Sequence, residues 1–285
     1  MKQLCRLIDE RGVLWTALYS FRRIVLGFNR WTKFQWVRYI LRILESRLII
    51  LEKRKFLTGD HTISSLYHTV EQNKKIWNSY NWLCGGEEWT EDAYKYRKID
   101  PNLWKTSLIN EMIFKYIEKG TMILEIGPGA GRWTEILLKL ADRLILADIT
   151  EKCLDICQKK FSINSNIKYC LIQNQGLGDI ESSSVDYIWS YDVFVHINPT
   201  DTERYVRDFQ RILKAGALGI IHHAGTYMDE KEEDVRNKKL RSYIDGAFFA
   251  YLINRNGMEM VEQNNSLVHC AGDLISVFRK PKVIM

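Results

Sequence analysis

The chain has 285 residues, 46% of them hydrophobic and 27% charged, with a formal net charge of +6. That composition excludes a disordered or collagenous chain and leaves a globular protein with room for one large domain and an extension. Its six cysteines form no Cys-x-x-Cys pair and no zinc-like cluster, so free thiols in a reducing, cytoplasmic setting are expected.

The charge is uneven. Residues 1–60 hold thirteen Lys/Arg against five Asp/Glu, a balance of +8, which leaves about −2 for the remainder. Within this stretch Phe34, Val37, Ile40, Leu41, Ile43 and Leu44 recur at spacings of three and four, with Arg38, Arg42 and Arg47 between them. The pattern predicts a basic amphipathic helix. Its apolar face would pack on the domain or on a second copy, or else lie peripherally on the inner face of a membrane. The apolar content argues against a nucleic-acid arm. No signal peptide is expected, and the uncharged run Gly12–Phe21 falls short of the ~20 residues a membrane span needs. Residues 61–105 follow as an aromatic-rich lid or connector containing Trp77, Tyr80, Trp82, Trp89, Tyr94 and Trp104. Trp89, beside the turn Gly85-Gly86, is a candidate substrate contact.

From residue 106 onward the pattern is regular. A helix over Trp104–Glu118 stops at Gly120, and Thr121–Ile126 reads as a short buried strand. Trp133, Ile136, Leu137 and Leu140 mark the next helix, and Leu144–Ile149 the next strand. Thr150 is placed to cap a helix with Cys153, Leu154, Cys157 and Phe161 on its inner face. Further strands are expected at Ile167–Ile172, Val185–Ser190 and Leu218–His222. The capping box Thr200-Asp-Thr-Glu203 predicts a helix carrying Tyr205, Phe209, Ile212 and Leu213. Strands alternating with helices imply an α/β fold, a parallel sheet with helices on both faces.

The informative stretch is Leu124-Glu-Ile-Gly-Pro-Gly-Ala-Gly-Arg132, where a strand meets a glycine turn and a helix. Glycines at 127, 129 and 131 let backbone approach a ligand closely. A dinucleotide fingerprint would need glycine at position 132, where this chain has Arg132, and no Gly-Lys-Ser/Thr follows for a P-loop. Glu125, two residues before the first glycine, suits a ligand carrying an amine. Asp148, at the end of the second strand, is placed to accept hydrogen bonds from ribose hydroxyls.

Glu125-x-Gly127-x-Gly129-x-Gly131 with Asp148 resembles the class I S-adenosylmethionine-dependent methyltransferases, from about residue 105 to 280. Asn174, twelve residues before Asp186, matches the position that meets the adenine amino group in that family. "VDYIWSYDVFVHI" resembles its fourth-strand segment. "RILKAGALGII" resembles the turn into strand five, with Ala215 in place of the usual proline. "NGMEMVEQ" and "GDLISVFRK" resemble the antiparallel closing strands. The resemblance implies a Rossmann-like, seven-stranded, mostly parallel sheet behind an N-terminal helical extension, with domains at 1–60, 61–105 and 106–285. It also implies S-adenosylmethionine as cofactor and S-adenosylhomocysteine as product. Glu125, Gly127, Gly129, Gly131, Asp148, Ile149, Asn174, Tyr191 and Asp192 are then the cofactor contacts.

A hydroxyl acceptor needs a base, and histidine suits neutral pH. His196 after strand four, and His222 and His223 on strand five, fall at the acceptor edge of the sheet. Successive strand residues point to opposite faces, so at most one of the last two faces the acceptor. His61, His68 and His269 have no such placement. The long connection after strand five supplies Tyr227, Arg241 and Tyr243 as candidate substrate contacts. Asp148, Asp192 and His196 lack metal-ligand spacing, so no metal is expected. The function implied is methyl transfer, O-directed, to a polar small molecule such as a sugar or glycan precursor. N-methylation of a small amine or protein side chain, and a non-catalytic cofactor-binding subunit recruited by its helical arm, are the alternatives. No nucleic-acid partner is expected; membrane contact or homo-oligomerisation is assigned to residues 1–60.

Overall fold

The structure is a computed structural model, and it describes residues 70–173, 176–225, 244–270 and 272–282. The predicted arm at 1–60 and the candidate residues Asn174, Tyr227, Arg241 and Tyr243 lie outside the described residues. The chain divides into two compact units, residues 1–65 with 247–251, and residues 66–246 with 252–285. The second unit carries the sheet.

Chain order in that unit begins with three helices, α1 (Val70–Ser79), α2 (Asp92–Arg97) and α3 (Pro101–Leu108). The Asp100 side chain caps α3 by accepting the Leu103 N–H at 2.8 Å, and Pro101 supplies a fixed φ at the first helical position. The helix then widens into a π-helical turn over Ile109–Phe114, where the sequence pattern had predicted one uninterrupted helix. A π-helical run of six residues is too short for the apolar period to tell it from an α-helical turn.

Next come β1 (Thr121–Ile126), α4 (Thr134–Leu137), β2 (Ala141–Asp148), α5 (Glu151–Lys160), β3 (Ile167–Leu171) and β4 (Val185–Ser190). They are followed by α6 (Pro199–Ile212), β5 (Leu213–Ala224), α7 (Gly246–Arg255), β6 (Glu259–Asn264) and β7 (Asp273–Arg279). The seven strands lie in the order β3-β2-β1-β4-β5-β7-β6. β1 to β5 are mutually parallel, and β7 runs antiparallel between β5 and β6. This is the Rossmann-like, seven-stranded, mostly parallel sheet expected from the sequence.

The apolar runs read as strands do form the buried centre: Ile123, Leu124, Leu144, Leu146, Ile188, Ile220 and Val277 are shielded from solvent. α5 packs on β2 and β3, and α6 on β5. Thr150 caps α5 as predicted, its hydroxyl accepting the Cys153 N–H at 3.4 Å. The cap of α6 is Asn198 and not Thr200. Asn198 Oδ1 accepts the Asp201 N–H at 3.0 Å, and Pro199 occupies the first helical position. A proline there needs no N–H partner and fixes the helical φ, which moves the start two residues upstream of the capping box.

The parallel strands β1 to β4 all deliver their carboxyl ends to one edge. In an open α/β sheet that edge holds the ligand, beside the point where strand order reverses between β1 and β4.

Candidate functional site

At that edge a cavity is lined by the glycine turn (Gly127, Pro128, Gly129), by Asp148 and Ile149 after β2, and by Tyr191, Asp192, Val193 and His196 after β4. Trp77, Trp82, Gly86 and Trp89 close its other side, with Arg132 and Trp133 between. The turn is shaped by backbone that a side chain would spoil. Gly127 has φ +68° and a Cβ there would lie 2.3 Å from Val193; Gly129 has φ +56° and a Cβ there would lie 2.8 Å from the Trp82 ring. Gly131 turns elsewhere: its Cβ would meet Phe161 at 2.6 Å, and it does not line the cavity. Gly131 thus packs the turn closely on α5.

Asp148 is buried at the opposite rim. Thr150 donates to Asp148 Oδ1 from its N–H at 2.8 Å and from its hydroxyl at 2.9 Å. Burial pushes the Asp148 carboxyl up to about 6, against those bonds. Glu125 is also buried, yet it does not line the cavity. It sits beneath the turn, where the Thr134 hydroxyl donates to Glu125 Oε2 at 2.7 Å. Burial pushes its carboxyl up to about 8, overriding that bond and the Arg132 charge. Glu125 thus supports the turn from below.

The aromatic segment forms one cluster. Trp77, Tyr80, Trp82 and Trp89 pack with ring centroids 5.0–6.1 Å apart, Tyr80 stacked on Trp89. Lys152 holds this loop to α5, donating to Tyr80 O at 2.6 Å and to Asn78 O at 3.1 Å. Trp82 Nε1 is buried without a hydrogen-bond partner among the described residues. Trp89 reaches the cavity wall, where the sequence had placed a substrate contact.

The histidines separate. His196 lines the cavity beside Trp77, ring centroids 5.2 Å apart, and the Asn73 amide donates to its carbonyl at 3.1 Å. His223 is fully buried on the other face of β5. Its Nδ1 is 2.8 Å from Ala224 O and its Nε2 2.7 Å from Ser276 Oγ, and burial pushes its imidazole down to about 4. A neutral ring with both nitrogens engaged inside the sheet is a structural residue, and His223 is withdrawn as a base. His222 is fully buried behind Tyr191, on which it stacks at 4.1 Å.

Sequence reasoning missed two members of this neighbourhood. Arg132 was read as the absence of a glycine; it is a buried cation whose Nη2 lies 2.6 Å from Asp192 Oδ2. Its Nε and Nη1 have no hydrogen-bond partner among the described residues, although the side chain lines the cavity. His269, set aside for lack of a motif, stands 3.4 Å from Asp192 Oδ1 through Nε2. Burial pushes the His269 imidazole down to about 4. Asp192 adopts φ +62°. Burial works to raise its carboxyl, but His269, the hydrogen bond with His222 and Arg132 together hold it well below the usual carboxylate range. Burial works to lower His222, and hydrogen bonds with Asp192 and Asp273 outweigh it, so its imidazole is raised.

A side-chain-free cradle, the Asp148 carboxylate after β2 and the partly unsatisfied Arg132 guanidinium all line this cavity, groups able to receive the ribose and charged tail of a nucleoside ligand. Asp148 would hold the ribose, and Arg132 and Asp192 would face the charged tail.

Residues 123–216 match a family model described as a methyltransferase domain. Among curated proteins, the ribosomal RNA small subunit methyltransferase A of Borreliella burgdorferi is 39% identical over 110 residues, covering 35% of this chain and 38% of that protein. The phosphoethanolamine N-methyltransferase of Triticum aestivum is 22% identical over 214 residues, covering 74% of this chain and 40% of that protein. The chain thus spans about two-fifths of the length of these relatives. Among solved structures, the N-methyltransferase NodS from Bradyrhizobium japonicum in complex with S-adenosylhomocysteine is similar. Its TM-score is 0.53 at 16% identity, over 75% of this chain and 99% of NodS. Residues 123–216 thus resemble a methyltransferase domain, carried on a fold that NodS shares.

Proposed function

We propose that the chain transfers a methyl group from S-adenosylmethionine to a hydroxyl of a polar small molecule, such as a sugar or glycan precursor. The observation that carries this reading is His196, the one imidazole among the described residues that lines the cavity. S-adenosylmethionine, when bound, supplies an electrophilic methyl on a sulfonium. The chain has three tasks around it. Asp148 orients the ribose and Arg132 with Asp192 the amino-acid tail, so that acceptor and methyl meet in a near-attack geometry. His196 takes the hydroxyl proton as the new bond forms. The aromatic wall of Trp77, Trp82 and Trp89 keeps water out.

N-methylation is the second reading, and the same wall favours it: electron-rich ring faces suit an ammonium or amine acceptor. Two of the similar proteins are N-methyltransferases. The His196→Ala variant separates the two. For a hydroxyl acceptor it should lower turnover about 10²-fold or more while S-adenosylhomocysteine affinity holds. A screen of sugars and small amines with labelled cofactor, run on both proteins, reads the outcome. Unchanged turnover in the variant, or label passing only to amines, would remove the hydroxyl reading.

A further inference from the structure

Just behind the cavity floor, side chains from three distant parts of the sequence bring ligand atoms together. Asp192 follows β4, His222 stands on β5, and His269 lies between β6 and β7. Asp192 Oδ1 is 3.2 Å from His222 Nδ1 and 3.4 Å from His269 Nε2. All three atoms lie within 4.8 Å of one another. Ligands bonded at about 2.0–2.1 Å around a tetrahedral metal stand roughly 3.3 Å apart, so these separations need little adjustment.

Each outward nitrogen has an oxygen near it, although His222 Nε2 makes no hydrogen bond among the described residues. His222 Nε2 is 3.3 Å from Asp273 Oδ2, and His269 Nδ1 is 3.1 Å from Tyr191 Oη. In a loaded site such oxygens would accept the outer N–H and leave the inner nitrogen to the ion. The Asp192 N–H lies 3.1 Å from His222 Nδ1, and an ion at that nitrogen would take its place.

The loop bearing His269 is held as tightly. Arg97 Nη1 donates to Asn265 O, Ser266 O and Val268 O at 2.8, 3.1 and 2.8 Å, and Trp104 Nε1 donates to Leu267 O at 2.8 Å. Arg132 occupies Asp192 Oδ2 and leaves Oδ1 toward the imidazoles.

We propose that Asp192, His222 and His269 form a binding site for one divalent transition-metal ion, with Asp273 and Tyr191 as positioning residues behind the two rings. Two imidazoles and one carboxylate suit Fe, Mn, Co or Zn, and leave coordination positions open. Asp192 also lines the cavity, so the ion would stand at its wall. Its consequence for chemistry rests on the hydroxyl reading above: a metal-bound hydroxyl gives up its proton more readily. The site itself does not depend on that reading.

The test uses the full-length protein, stripped with a chelator, dialysed and titrated with Co²⁺ while visible absorption is recorded. One Co²⁺ per chain should bind with a d–d band of low-symmetry coordination. His222→Asn and His269→Gln should each weaken binding at least tenfold, and Asp273→Asn about 10- to 100-fold. S-adenosylhomocysteine calorimetry on the same samples checks that each variant is folded. Failure of the stripped wild-type protein to bind Co²⁺ stoichiometrically would overturn the site, as would unchanged Co²⁺ affinity in the His222→Asn, His269→Gln double variant. Co²⁺ binding without S-adenosylhomocysteine binding would retain the metal site and sink the methyltransferase reading instead.

Discussion

Glu125 stands beneath the glycine turn with a carboxyl that burial has pushed up to about 8, far above its ordinary value of 4.5. A raised folded-state pKa means that the folded protein holds a proton the unfolded chain releases. The stabilisation is complete below about 4.5 and is lost as pH rises through about 8. Asp148, raised to about 6, adds a contribution of the same sign over a narrower window. Thermal unfolding of the ligand-free protein should therefore show a melting temperature that falls between about pH 6.5 and 8, above the window in which His223 and His269, pushed down to about 4, contribute with the opposite sign. Glu125→Gln, which stays neutral and can still accept from Thr134, should flatten that slope. An unaltered slope in the variant would mean that Glu125 is ionised in the folded state, paired with Arg132 through the turn.

At the scale of elements, the turn between β1 and α4 carries the most specific demand. Gly127 and Gly120 share a left-handed backbone, φ +68° and +75°, but only Gly127 has a neighbour in the way of a Cβ. Gly120→Ala should cost about 1–2 kcal/mol, the backbone penalty alone, and leave cofactor affinity intact. Gly127→Ala should cost more, because Val193 must move, and should abolish tight S-adenosylhomocysteine binding. Melting curves and calorimetry on the pair separate the two terms; equal losses of affinity would show that the cradle is not where the ligand lies. This turn was legible in the sequence because glycine spacing is itself a backbone statement. Asp148 was legible because a strand end is countable from an apolar run. His269 was not, since its loop carries no period and its place is set by Arg97 and Trp104 from far upstream. Arg132 was half-read: its identity excluded a dinucleotide site, but its burial against Asp192 depends on how the β4 segment folds back. The aromatic segment announced itself by density, whereas the mutual packing of its rings is a tertiary fact. Trp104–Glu118 was read as one helix, and its π-helical turn left no trace in the pattern.

At the scale of the molecule, a ligand that spans the edge of the sheet ties together segments far apart in sequence: the loop after α1, the turn after β1, the ends of β2 and β4. Binding to the folded state alone stabilises by mass action, about 2.7 kcal/mol at a hundredfold excess over Kd. For a chain of this size that corresponds to a rise in melting temperature of about 5–10 °C. S-adenosylhomocysteine should produce such a shift in the wild-type protein, and Asp148→Ala should lose most of it at the same concentration. A full shift in the variant would place the ribose elsewhere. No described helix is long and apolar enough to cross a membrane.

The insertion of β7 between β5 and β6 also imposes a timetable. A ribosome delivers β1 to β5 first, with Asp148, His196 and the glycine turn already translated. β6 then emerges with nothing to pair against, because its neighbour in the sheet is β7 alone. His269 and Asp273 arrive with that last strand, so the cluster around Asp192 closes only at the final step of sheet assembly. Until then the β5 edge stands open to pairing with another chain, and the cluster around Asp192 stays incomplete until the strand that seals that edge is in place.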